Sequence, residues 1–158
     1  LHPGLISHFG GHAMAAGLTL QAENFNAFAQ AFDNLMNSYA EEVFTHTIFT
    51  DGELTPPELH LNTVHTINSL EPWGTGFPAP LFEGKFTLLR KQLLKEKHLK
   101  LTLQHPQTND WLDAIQFNTP YNINDLSENN LVDLIYTLEE NKFNGRSSLQ
   151  LKIVDIRM

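Results

Sequence analysis

An α+β segment followed by an all-β barrel of five strands is the fold class this sequence predicts. Three observations predict it. Apolar residues recur at helical spacing from Phe25 to Val43. Prolines and glycines then crowd the stretch from Pro72 to Pro80, which marks a boundary. Beyond that boundary the apolar period drops to two, the signature of strands with one buried face. Apolar residues make up 41% of the 158, enough for a packed core. The chain has no cysteine, which excludes disulfides and thiolate metal sites and suits a reducing cytoplasm. No run approaches the ~20 apolar residues of a membrane span. The expected organisation is an α+β part over residues 1–50, a helix and junction over 51–80, and the barrel over 81–158.

Residues 1–12 read as a loop or short helix that enters a turn at Gly10-Gly11, with Leu18-Thr19-Leu20 as a strand. Asn24 is placed to cap a helix. From there Phe25, Phe28, Phe32, Leu35, Met36, Tyr39 and Val43 form an apolar stripe of about five turns. Such a stripe belongs in a core, against a sheet. Thr47–Thr50 reads as a short strand into an Asp51-Gly52 turn. Pro56-Pro57 breaks the chain, and Leu59, Leu61, Val64, Ile67 and Leu70 then suggest a short helix. Trp73 and Phe77 are expected to pin the junction onto the barrel.

The five strands are expected at Phe82–Leu94, Lys97–Gln104, Trp111–Phe117, Leu131–Glu139 and Leu149–Ile156. Leu99, Leu101 and Leu103 alternate with Lys100, Thr102 and Gln104. Lys142-Phe143-Asn144-Gly145-Arg146 reads as a hairpin turn. The stretch 118–130 should cap the barrel between its third and fourth strands. Five strands of this length suit an oligonucleotide-binding barrel.

Two groups of residues carry chemistry. In Gly10-Gly11-His12, positive φ at the glycines would expose successive N–H groups to a phosphate, and the His12 ring nitrogens could donate to it. An ordinary turn contains the same residues. His8 and His12 are four apart, but the intervening glycines disfavour the helix a zinc pair would need. The second group is basic. Net charge is −8, yet residues 1–84 hold nine acids and no Lys or Arg, whereas all ten basic residues lie in 85–158. Six of them, Lys85, Arg90, Lys91, Lys95, Lys97 and Lys100, fall within 85–100 against a single acid, Glu96. A local basic patch is what a polyanion needs, although a solvated strand face looks the same. With Lys142 and Arg146 these are the candidate phosphate contacts of a single strand. Trp111, Tyr121 and Phe143 are candidate base stackers that would equally suit a core.

Gly10-Gly11-His12-Ala13-Met14-Ala15-Ala16-Gly17 resembles the Gly-Gly-His signature of the domain that follows the catalytic domain in DHH-type phosphoesterases. Leu70–Phe82 resembles the junction that enters the barrel of the RecJ branch, single-strand-specific 5′→3′ DNA exonucleases. His98–Leu101, Leu112–Phe117, Asn141–Gly145 and Ser148–Leu151 fit the same barrel in order. Phe77 departs from the pattern, where many members carry Asn. The resemblance implies a C-terminal part of a longer enzyme in DNA repair and recombination. It implies a phosphate grip by Gly10, Gly11 and His12, single-stranded DNA as substrate and a single-strand-binding protein as a partner. The family's metal site, with an Asp-His-His triplet, lies in a preceding domain, and this chain contains no such triplet. The resemblance therefore implies no catalytic residue and no cofactor within this chain, with a divalent metal (Mn or Mg) in the catalytic domain. A non-hydrolytic strand-binding or protein-docking module, or another DHH-type phosphodiesterase branch, are the competing readings.

Overall fold

The computed structural model describes residues 4–12, 15–40 and 47–157. The chain divides into two compact units, Leu1–Thr47 and Ile48–Met158. In the first unit, β1 (His8–His12) and β2 (Ala15–Thr19) pair as an antiparallel hairpin. Of the stretch 1–12, expected as a loop or short helix, residues 4–7 are turn and bend and residues 8–12 form a strand, and β2 begins three residues before the expected Leu18. A single turn of 3-10 helix, Ala22–Asn24, leads into α1 (Phe25–Met36). Asn24 occupies the capping position, but its side chain makes no cap and donates instead to the Gly4 carbonyl at 3.3 Å.

Helix α1 is shorter than its apolar stripe. Asn37 and Ser38 are poor helix formers, and the Ser38 hydroxyl donates to the Leu35 carbonyl at 2.6 Å. The Ser38 and Tyr39 N–H groups tighten to the carbonyls of Leu35 and Met36, which closes the helix. Val43 and Glu41, the end of the expected helix, lie outside the described residues. No residue of α1 is buried, and Phe25, Phe32, Leu35 and Tyr39 are exposed. The stripe expected in a core is therefore mostly exposed among the described residues, with Phe28 and Met36 half-buried.

The second unit is built on a closed barrel in the order β3-β4-β5-β7-β6. Its strands are β3 (Phe82–Leu94), β4 (His98–Gln104), β5 (Trp111–Gln116), β6 (Leu131–Phe143) and β7 (Arg146–Arg157). All pairings are antiparallel except β5 with β7, which is parallel over Asp113–Ile115 against Gln150–Lys152. The alternation seen in the sequence is the inside-outside pattern of the wall. Leu99, Leu101 and Leu103 are fully buried inside, whereas Lys100, Thr102 and Gln104 face outward. Each buried leucine contributes about 1.5–3 kcal/mol. Gly84 packs closely under two rings: a Cβ there would press on the Phe86 ring at 3.2 Å and touch the Tyr136 ring at 3.6 Å.

Two segments close the ends. Helix α2 (Leu61–Asn68) packs against β6 and β7 and buries Val64 in the barrel core. Between β5 and β6, a 3-10 turn at Ile123–Asp125 precedes buried Leu126, which fits the expected cap. The expected strand at 47–50 does not form. Instead Asp51 and Gly52 run beside the start of β3: the Asp51 N–H donates to the Leu81 carbonyl at 2.7 Å, and the Leu81 N–H to Asp51 Oδ2 at 2.9 Å. In the junction, Gly74 and Phe77 exchange backbone hydrogen bonds and Trp73 stacks on Phe77 with ring centroids 4.8 Å apart. Phe77 remains exposed, so this pair fixes the linker on itself rather than pinning Phe77 to the barrel. Among the described residues no helix is long and apolar enough to cross a membrane.

Candidate nucleic-acid interface

Gly10, Gly11 and His12 all lie in β1, with Gly10 opposite Gly17, Gly11 opposite Ala16 and His12 opposite Ala15. Neither Gly10 nor Gly11 has positive φ. This corrects the expected glycine turn. An anion nest needs consecutive N–H groups on one side, a geometry of αR-αL or turn backbone and not of an extended strand. The two glycines also differ. A Cβ at Gly11 would lie 2.7 Å from the Ala15 carbonyl oxygen and 2.8 Å from the Ala16 Cα, so the close hairpin demands glycine. A Cβ at Gly10 would meet nothing within 4 Å. Ala13 and Met14, the next residues of the motif, lie outside the described residues. Among the described residues no cluster of three or more His, Asp or Glu could hold a metal ion.

The basic candidates sort by strand register. On the outer face of the barrel, Arg90, Thr102 and Asp113 form one row across β3, β4 and β5, and Gln92, Lys100 and Ile115 the next. Gln150 and Lys152 of β7 extend these rows beside Asp113 and Ile115. Trp111 stands at one end of this face, opposite Gln104, and is 73% exposed. Phe117 continues the outward alternation at the other end, 49% exposed, edge-on to His98 at 5.2 Å. The two rings are about 20 Å apart along the strand.

Each end carries a hairpin. The β3–β4 turn presents Lys95 and Glu96, both with positive φ (50° and 57°), followed by Lys97. The β6–β7 turn is Asn144-Gly145, also at positive φ, flanked by Lys142, Phe143 and Arg146. Positive φ at both central residues is the geometry of a tight type I′ hairpin. Parallel pairing with β5 places the start of β7, and so the second hairpin, at the Trp111 end. Phe143 is 70% exposed. Arg90, Lys95, Lys97 and Arg146 have no ion-pair partner among the described residues. Lys100 pairs with Asp113 at 3.7 Å, and Lys142 with Glu140 at 3.3 Å. A hydrogen bond from Ser147, reinforced by Lys142 and His65, holds the Glu140 carboxyl below the usual carboxylate range.

Three candidates sit elsewhere. Lys91 follows an irregularity at Leu88/Arg90 and pairs with inward-facing Leu101. Its ammonium donates to the carbonyls of Ile123 at 2.7 Å and Leu126 at 2.6 Å, so it ties down the cap and does not reach a phosphate. Lys85 is exposed but pairs with Asp133 of β6, off the β4–β5 face. Tyr121 packs against the core and donates its hydroxyl to Asp155, so it is no base stacker. Sequence reasoning missed Lys152, 2.8 Å from Glu139, and Phe117. Phe117 could have been found, because it shares its parity with Trp111 along the strand.

β4 and β5 are the second and third strands of the barrel, and the two hairpins are its first and last loops. Barrels of this class bind oligonucleotides on that face and with those loops. An exposed ring offers a base a stacking surface, and unpaired cations at both ends offer phosphate contacts. Comparison with known proteins agrees with this architecture. The chain is 40% identical over 153 residues to the single-stranded-DNA-specific exonuclease RecJ of Dickeya dadantii, covering 96% of this chain and 27% of that protein. It is 38% identical over 160 residues to the enzyme of the same name from Escherichia coli, again covering 27% of it. The chain thus spans about a quarter of the length of the curated relatives it matches. The crystal structure of Thermus thermophilus RecJ with Mn2+ shares the fold, with a TM-score of 0.71 at 24% identity over 98% of this chain and 22% of that one. The family model for the RecJ OB domain matches residues 50–155, and the chain belongs to that family.

Proposed function

We propose that the barrel binds single-stranded DNA across the outer face of β4 and β5 and serves a single-strand-specific 5′→3′ exonuclease of DNA repair and recombination. The observation that carries the reading is the placement of unpaired cations in hairpins at both ends of one face, with exposed Trp111 on it. Lys95 and Lys97 serve one end, Lys142, Phe143 and Arg146 the other, and Lys100 and Arg90 lie on the face between them. The relatives' names supply the substrate class and the reaction. Hydrolysis and its divalent metal belong to a part of the longer enzyme beyond this chain. Gly10, Gly11 and His12 are assigned to substrate phosphate there, with the open backbone at Gly10 letting a strand approach closely, Gly11 holding the hairpin tight and His12 donating.

The test is fluorescence anisotropy of a labelled single strand of about 20 nucleotides, titrated with this chain over a salt series. Saturable binding that weakens with salt and is lost in Lys95→Glu/Lys97→Glu is expected. Binding unchanged by that double substitution would overturn the assignment of the face.

A further inference from the structure

Beside Trp111 the barrel end opens into a cleft of about 500 Å³. One wall is the segment Pro56–Leu61, and the other comprises His105, Thr108, Asp110 and Leu112 with Ser148 and Leu149 of β7. Trp111 lines this cleft and stands on the outer face of β5, so the two are continuous. We propose that the cleft receives one nucleobase of the bound strand, and prefers a base with an exocyclic amine. The proposal rests on the single-strand reading of the face.

The lining decides the ligand class. It contains Asp110 and no Lys or Arg, so it repels a phosphate and admits an uncharged group. Pro56, Pro57, Leu59 and Leu149 supply apolar walls for a flat ring, and Trp111 a stacking surface at the mouth. The near wall is fixed: the Glu58 carboxylate accepts from the Thr55 N–H at 2.7 Å and the Thr55 hydroxyl at 2.6 Å. Both histidines have a defined tautomer. His60 Nδ1 accepts from the Asn62 N–H at 3.3 Å, and His105 Nδ1 from the Gln107 N–H at 3.2 Å. Each neutral ring therefore carries its proton on Nε2 and is a donor there. Donors from histidine and an acceptor from Asp110 match a base edge that presents both a ring or carbonyl acceptor and an amine. Cytosine has that edge, whereas thymine offers no amine. The phosphates stay outside, with Lys142 and Arg146 of the neighbouring hairpin.

The experiment compares oligo-dC with oligo-dT of about 20 nucleotides by anisotropy, for the chain, Asp110→Ala and Ser148→Phe. The dC-to-dT affinity ratio should exceed one by about 2- to 10-fold and fall towards one when the acceptor is removed. Ser148→Phe fills the mouth and should abolish the ratio while oligo-dT still binds. Removing Asp110 also removes a negative charge, which raises affinity for both oligomers alike, so the ratio is the readout. Equal, salt-dependent binding of both oligomers by the unmodified chain overturns the cleft and leaves the face intact. Binding of neither overturns both.

Discussion

Lys100 Nζ lies 3.7 Å from Asp113 Oδ2 on the outer face of β4 and β5, both side chains more than a third exposed. An exposed pair of this kind contributes at most about 1 kcal/mol to stability. Its consequence lies in binding, because the only carboxylate in these rows neutralises the central lysine. Asp113→Asn should therefore raise affinity for a single strand about 2- to 3-fold. The salt dependence should steepen as Lys100 becomes available to a phosphate. Titration at two ionic strengths checks both.

Lys91 and Lys97 are six residues apart and have opposite jobs. Lys91→Met removes two charged hydrogen bonds to the cap, to Ile123 and Leu126. It should cost about 2–4 kcal/mol of stability in urea denaturation. The surviving fold should bind a strand nearly as before. Lys97→Met should leave the unfolding midpoint in place and weaken binding.

The Lys95-Glu96 turn holds two non-glycine residues at positive φ. Each costs about 1 kcal/mol relative to residues suited to that geometry. Replacing the pair with Asn-Gly, the favoured type I′ dipeptide, should raise stability by about 1–2 kcal/mol. The same change should weaken strand binding because Lys95 is lost. Thermal melts and anisotropy on one sample would show the two effects with opposite sign.

The Tyr136 hydroxyl is buried without a hydrogen-bond partner among the described residues. Tyr136→Phe should be neutral or stabilising, by up to about 1 kcal/mol. Burial, with the Glu53 charge, pushes the Tyr136 phenol up from 10.0. The hydrogen bond to Asp155, then burial, push the Tyr121 phenol up as well. The folded state thus keeps protons that the unfolded state releases. This stability is complete below pH 10.0 and is lost as pH rises above it, towards the folded values. Phenolate absorbance should show both tyrosines ionising with unfolding, and Tyr136→Phe should soften the alkaline loss.

The barrel was legible in the sequence because period-two alternation maps directly onto inside and outside. β3 matched its expected bounds, and the other four strands differed by a few residues at their ends. The individual lysines were harder to read. Arg90 and Lys91 are adjacent in a charge run, and only the irregularity after Leu88 and the path of the 118–130 cap send Lys91 inward. Gly10-Gly11 misled for a different reason. Glycine permits positive φ without requiring it, and here what demands glycine at Gly11 is the close approach of Ala15 and Ala16. The helical stripe over Phe25–Val43 gave the type and start of α1. Its end was set by the side-chain hydrogen bond of Ser38, a local competition that apolar spacing does not register.

The barrel is closed by a short parallel seam, Asp113–Ile115 of β5 against Gln150–Lys152 of β7, whereas β6 and β7 pair from Phe143/Arg146 to Asp133/Arg157. That seam is the clasp of the ring, and amide exchange should be fastest along it. A strand of DNA that touches Trp111 on one side and Arg146 on the other would lie across the clasp and hold it shut, so occupancy and closure would reinforce one another.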